Sequence, residues 1–444
     1  MNVANDQMFN DYIVKSSAIT DIEAALGKMK RRDRNRRMLE AALYVHNRIK
    51  EIAEKQGSAE AAANYFFRFV NYIRDNVGAV KLVVPDDDIA YTMFETLNDR
   101  GLELSPLDLV KNYMFRRAAE HSAERVKVME SRWAQMMQTL SSVRSDHFLK
   151  AFWTSRHGRI RTRALFSTFK KTYDNADKAN ELSVEMLEAS EQYAALESAD
   201  DPVWAPHSEA TRALIRSLKT VGSQQIHPVM LSALAKMDIA QVERLLRLLE
   251  VCIVRYLLIG GGNTGRFETT CAILARKIYS GEIKTATAAF EALKEVYPTD
   301  DEFRRTFEIK EEDSNPKAQY FMRRLEIEAQ RVSGGKMPGE LDPGVALTVE
   351  HIMPKNPGKE WEKEIKADPE FHADCLFRLG NICLLTGVNK ELGRKAFDEK
   401  KKVYASSKLI TTNGVAKFPQ WNRKNVDKRQ QKLAKLAVAT WRFS

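Results

Sequence analysis

Two short strand-like runs separated by a long loop and followed by a helical pattern, all between Val345 and Lys402, constrain this chain more than any other stretch. Ala346 to Ile352 alternates, carries β-branched residues and is closed by Pro354, which reads as a strand with a defined end. Leu379 to Thr386 (LGNICLLT) is the second strand candidate. Asn389 to Tyr404 (NKELGRKAFDEKKKVY) reads as a helix with Leu392, Lys395 or Ala396, Phe397 and Val403 inward, despite Gly393. The order strand, loop, strand, helix sets an acid, Glu350, a histidine, His351, and two asparagines, Asn381 and Asn389, where convergence on one metal is expected.

The remainder is mostly helical in pattern. Met38 to Ile52 and Ala61 to Ile73 have long apolar periodicity, and Ile239 to Leu258 predicts a helix that stops at Gly260-Gly261-Gly262. The following GGGNTGR lacks the Gly-Lys-Ser/Thr close of a phosphate loop and reads as a cap and turn. Ala79 to Val84 predicts a buried strand, and KMKRRDRNRR from Lys28 to Arg37 an exposed basic segment. Within Phe94 to Phe115, Ser105 and Pro106 open a helix, while Asn98, Asp99, Arg100, Asp108, Lys111 and Asn112 crowd together, either as an interior network or as one wall of a ligand site. Residues 332 to 346 are rich in Gly and Pro and mark a linker. The expected organisation is a mostly helical segment 1–120, a helical middle 121–331 and a small α+β domain 332–444, so the chain is mainly α.

The formal charge of +10 is concentrated. From Phe371 to the end there are 16 Lys+Arg against 5 Asp+Glu, whereas residues 1 to 370 carry 54 against 55. A localised basic surface is the footprint of a polyphosphate partner, or else a solvated helix face. No apolar run approaches the length of a membrane span and no secretory signal is visible at the N-terminus, so a cytoplasmic protein without a membrane partner is expected. Cys252, Cys271, Cys375 and Cys383 match no zinc spacing and are expected to be reduced core thiols.

The strand, loop, strand, helix order with Glu350-His351, Asn381 and Asn389 resembles the ββα-metal, His-Asn-His nuclease motif. Hydrolysing a phosphodiester needs an activated water and a hard cation to absorb phosphate charge; neutral imidazole suits the first task, and a carboxylate with asparagine carbonyls the second. The stretch EHIMPKNP with Trp361, LGNICLL, Asn389 with Phe397 and Lys400, Tyr404 with Ser407, then Trp421, Arg429 and Trp441 resembles the C-terminal nuclease domain of GmrSD-type modification-dependent restriction enzymes. FETLNDRGLELSPLDLVKNYMF resembles the end of that family's ParB-like, nucleotide-hydrolysing N-terminal domain.

The resemblance implies a metal-dependent DNA endonuclease of a restriction or anti-phage system. His351 would be the general base, Asn381 would orient it or tie the two strands together, and Glu350 and Asn389 would hold Mg²⁺ or Mn²⁺. Lys355, Lys395, Lys400, Lys401, Lys402, Arg423 and Lys424 would meet DNA, including base- or backbone-modified phage DNA. Asn389 as a helix cap and Asn381 as a turn residue remain open alternatives. The family's Asp-Gly-Gln-Gln-Arg motif is absent from this sequence, so nucleotide hydrolysis by this chain alone is not expected. The alternative is a non-catalytic DNA-binding or regulatory subunit whose partner supplies that motif.

Overall fold

The structure is a computed structural model describing residues 8–15, 18–29, 36–78, 106–141, 143, 145–222, 224–334, 337–341, 345–387 and 392–443. Helices account for most of it: α1 Ile19–Lys28, α2 Arg36–Lys55, α3 Ala59–Asn76, α4 Pro106–Ala119, α5 Ala123–Leu140, α6 Ser145–His157, α7 Thr162–Thr172 and α8 Ala176–Ala195. They continue with α9 Glu209–Val221, α10 His227–Lys236, α11 Ile239–Cys252, α12 Thr264–Tyr279, α13 Ala286–Leu293, α14 Asp300–Phe307 and α15 Asn315–Ser333. The last part runs β1 Leu347–His351, α16 Glu362–Ala367, α17 Phe371–Cys375, β2 Ile382–Thr386, α18 Phe397–Ala405, α19 Ile410–Asn413 and α20 Arg423–Thr440. The mainly helical reading with a small two-stranded element is what the chain adopts. The expected strand at 79–84 and most of the basic run at 28–37 lie outside the described residues.

The chain divides into two compact units, residues 1–146 with 168–187, and residues 147–167 with 188–444. In the first, α4 and α5 bury Val110, Met114, Met129 and Met136, and the Tyr113 hydroxyl donates to the Tyr173 carbonyl at 2.8 Å. In the second, a large apolar core runs from Ala195 to Trp441 and takes in Leu347, Ile382 and Leu384. The boundary expected at 332 therefore falls inside a unit, because the C-terminal helix α20 and Trp441 pack into the same core as the helices before it. The predicted helix over 239–258 is α helix only to Cys252; Ile253–Ile259 continue as a π-helix, ended by Gly260 and by Gly261 at φ 62°.

β1 and β2 pair antiparallel, with Glu350 opposite Cys383 and His351 opposite Ile382. Strand alternation gives the hairpin two apolar faces. Leu347, Ile382 and Leu384 join the large core, while Cys383 and Leu385 join a second cluster with Met353, Trp361, Phe397, Tyr404 and Trp421. All four cysteines are free and buried, and burial pushes the Cys383 thiol up to about 12, so they are packing groups.

Gly380 precedes β2 beneath α20. A Cβ there would stand 2.6 Å from the Val426 carbonyl oxygen and 2.9 Å from Gln430 Cβ. The close approach lets Gln430 Oε1 accept from the Gly380 amide at 2.8 Å. Gly380→Ala is accordingly expected to destabilise the folded chain by about 1–3 kcal/mol through overpacking, read as a lower urea midpoint.

Candidate active site

Antiparallel pairing and the alternation of β1 set the two central side chains in different surroundings. The Glu350 carboxylate accepts from Lys400 Nζ at 2.6 Å and from the Tyr404 hydroxyl at 3.3 Å. Lys400 Nζ donates a second bond to the His351 carbonyl oxygen at 3.0 Å. His351 instead meets Phe377 edge-on, ring centroids 6.1 Å apart. Neither imidazole nitrogen has a hydrogen-bond partner among the described residues.

Electrostatics follow from burial. Desolvation, then the nearby Lys355 and Lys400 charges, hold the His351 imidazole down to about 4, so it is neutral at physiological pH with a lone pair available. Glu350 moves the other way: burial raises its carboxyl above the usual range, opposed by Lys400 and Tyr404.

Asn381 is fully buried just before β2, in the short 3-10 turn Leu379–Asn381 rather than in the strand as expected. Its Oδ1 accepts from the Met353 amide at 2.8 Å and from Trp421 Nε1 at 2.9 Å; its Nδ2 donates to the carbonyls of Met353, at 3.0 Å, and Leu376, at 3.1 Å. All four hydrogen-bonding positions of the amide are spent. Asn381 clamps the chain as it leaves β1, two residues beyond His351. Arg429, also buried, gathers the carbonyls of Gly380 and Ile382 at 2.7 Å each.

The basic residues divide. Lys400, expected to meet phosphate, is wholly buried: Phe397, Lys400 and Tyr404 share one face of α18 at spacings of three and four, and that face packs on the hairpin. Arg423 is likewise committed, to Asp368 at 2.7 and 3.0 Å and to Asp374 at 2.6 Å, and these hydrogen bonds raise its pKa further. Lys355, Lys395, Lys402 and Lys424 are exposed and Lys401 is half-buried. Lys355 Nζ stands 5.5 Å from the Phe377 ring centroid, on the ring that His351 touches.

Asn389 lies outside the described residues, as do Asn98, Asp99 and Arg100. The helix expected to start at Asn389 starts at Phe397, after a turn at residues 392–394 and an extended Ala396; Gly393 disfavours helix there. On α4, Asp108 and Asn112 are exposed and Lys111 lies 5.6 Å over the Phe115 ring.

Among the described residues no group of three or more His, Cys, Asp or Glu side chains converges as a metal site would. Glu350 is neutralised by Lys400, and Asn381 has no acceptor to spare. Asn389, the other expected metal ligand, lies outside the described residues.

Sequence reasoning missed the Glu350–Lys400–Tyr404 group. Phe397 and Tyr404, seven apart, mark an inward face on which Lys400 falls, and that spacing could have found it. Lys400→Met is expected to cost about 3–5 kcal/mol at neutral pH by leaving a buried carboxylate unpaired. Without the ammonium the Glu350 carboxyl rises further, so stability is lost as pH rises through its folded value; urea midpoints of variant and wild type should converge at acid pH.

Two comparisons with known families match. The model for the C-terminal domain of GmrSD restriction endonucleases matches residues 297–436, and the model for the N-terminal domain of the GmrSD restriction endonuclease matches residues 2–115. The first match begins at Tyr297, upstream of the boundary expected at 332, and takes in α14 and α15. No curated protein matches the chain.

Proposed function

Because this chain belongs to the GmrSD restriction endonuclease family, we propose that its ββα unit hydrolyses DNA phosphodiester bonds in restriction of foreign DNA, with His351 as general base. The observation that carries the reading is a neutral imidazole at the end of β1 whose nitrogens have no hydrogen-bond partner among the described residues, beside the exposed Lys355. A neutral imidazole takes a proton from water as it attacks phosphorus, and Lys355 supplies a positive charge for the phosphate. The strand pairing and the Asn381 clamp hold the base still while Lys400 fixes its carbonyl.

We further propose a requirement for Mg²⁺ or Mn²⁺, which would absorb charge on the phosphate. Of the described residues, Glu350 is the carboxylate that could contribute, and only with Lys400 displaced. The Glu350–Lys400 pair also favours a second reading, a DNA-binding subunit that is not itself catalytic. Supercoiled plasmid incubated with the purified chain in Mg²⁺, Mn²⁺ or chelator separates them. Cleavage lost on chelation supports the nuclease with its metal, chelator-resistant cleavage removes the metal, and salt-sensitive binding without cleavage supports the subunit.

A base must be unprotonated to act, so activity falls as pH drops through its pKa. With His351 held down to about 4, the acid limb of kcat/KM for cleavage is expected well below the ordinary histidine value of 6.5. A limb centred at 6.5 would contradict the buried, lysine-flanked base.

A further inference from the structure

Trp421, whose indole N–H holds Asn381, also lines an open cleft of about 860 Å³ bounded by α16, α17 and the start of α20. That volume falls within the roughly 300–1,000 Å³ of small-ligand sites and exceeds what one nucleotide needs. Lys363, Lys424 and Lys428 line it; all three are exposed and none forms an ion pair among the described residues. Lys424 and Lys428 stand one turn apart on the same side of α20. Arg423 and the two aspartates that line the cleft are already paired, Arg423 with Asp368 and Asp374, and Asp427 with Arg378, which leaves the three lysines as its uncompensated positive charge among the described residues.

One acceptor in the cleft is left over. Glu364, half-buried, lines the cleft, and its Oε2 is enclosed without a hydrogen-bond partner among the described residues, so a donor entering beside it meets an unused acceptor. A ligand suited to this cleft therefore carries phosphate negative charge for the lysines and an N–H donor for Glu364. Unpaired nucleotides carry both, and a carboxylate is a good acceptor for the exocyclic amino group of cytosine.

We propose that this cleft binds one unpaired nucleotide of a DNA strand, with Lys424 and Lys428 on its flanking phosphates and Glu364 accepting from its base. The site rests on the reading that the protein acts on DNA. It is joined to the candidate active site through Trp421, Asn381 and Met353, so occupancy of the cleft is coupled by direct hydrogen bonds to the chain just beyond His351.

Fluorescence anisotropy with the full chain tests it, using a short single-stranded dC oligonucleotide, an abasic strand of equal length and free dCMP as competitor. Wild type is expected to bind the dC strand about tenfold tighter than the abasic one, roughly one good base contact. Glu364→Ala should erase that preference. Lys424→Ala with Lys428→Ala should weaken both strands and flatten the dependence of log K on log salt by about 1.4, two phosphate contacts at ~0.7 each. The site is overturned if Glu364→Ala strengthens both strands alike, as removal of a merely repulsive acid would, or if the double lysine variant binds as wild type. Competition by dCMP as strong as by the strand, nucleotide for nucleotide, would overturn a strand as the ligand. Plasmid cleavage measured alongside keeps the outcomes apart: cleavage with unaltered binding in the variants removes the cleft alone, and absence of cleavage by wild type removes the nuclease reading.

Discussion

His351→Ala is expected to lower single-turnover DNA cleavage by a factor on the order of 10² to 10⁴ while leaving duplex binding unchanged. The imidazole carries no protein hydrogen bond among the described residues and is neutral, so its deletion removes a proton acceptor without removing a charge that attracts DNA. Its ring meets the edge of Phe377, and the lysines that face solvent are untouched. The expected signature is a variant that folds and binds but does not cut, measured by thermal melting, anisotropy and quenched-flow cleavage on one preparation.

Asn381→Ala is expected to destabilise the folded chain by about 3–4 kcal/mol in urea unfolding. Four groups lose their partner at once: the Met353 amide, the Trp421 indole N–H and the carbonyls of Met353 and Leu376. Each unsatisfied buried group costs about 1–3 kcal/mol, less where water enters the vacated space. Asn381→Asp should be little better despite its shape, because a carboxylate turns an acceptor toward the two carbonyls that Nδ2 now serves. A loss below about 1 kcal/mol for either variant would mean that the clamp is not what holds the exit of β1.

The hairpin and its helix were legible because they obey local rules. Alternation ended by Pro354 marks β1, and the apolar run before Gly387 marks β2. The surplus of basic residues was legible as charge and only partly as surface. Lys400 and Arg423 count toward the surplus yet are spent inside ion pairs, one on Glu350 and the other on Asp368 and Asp374. Composition cannot tell a lysine that faces phosphate from one that neutralises a buried acid; the spacing of Phe397, Lys400 and Tyr404 can. The start of α18 was set too early because apolar residues from Leu392 onward fit a helical period, while Gly393 and an extended Ala396 let the backbone turn first.

Long-range pairing was the least legible part. Nothing local announces that Trp421 will bond Asn381 across forty positions, that Gln430 will reach the carbonyls of Phe307 and Lys310, or that Arg429 will collect the turn before β2. These bonds make α20 a wall of the site and the linker at 332 an internal connection. The residues that resembled a nuclease family at the level of sequence, Trp361, Trp421, Arg429 and Trp441, prove to be buried parts of the scaffold.

Chemical rescue tests the central claim most directly. If His351 is the general base, His351→Gly should be nearly inactive on plasmid, and free imidazole should restore part of the cleavage with a concentration dependence that follows its unprotonated fraction. Cleavage by His351→Gly at the wild-type rate without imidazole would contradict the account.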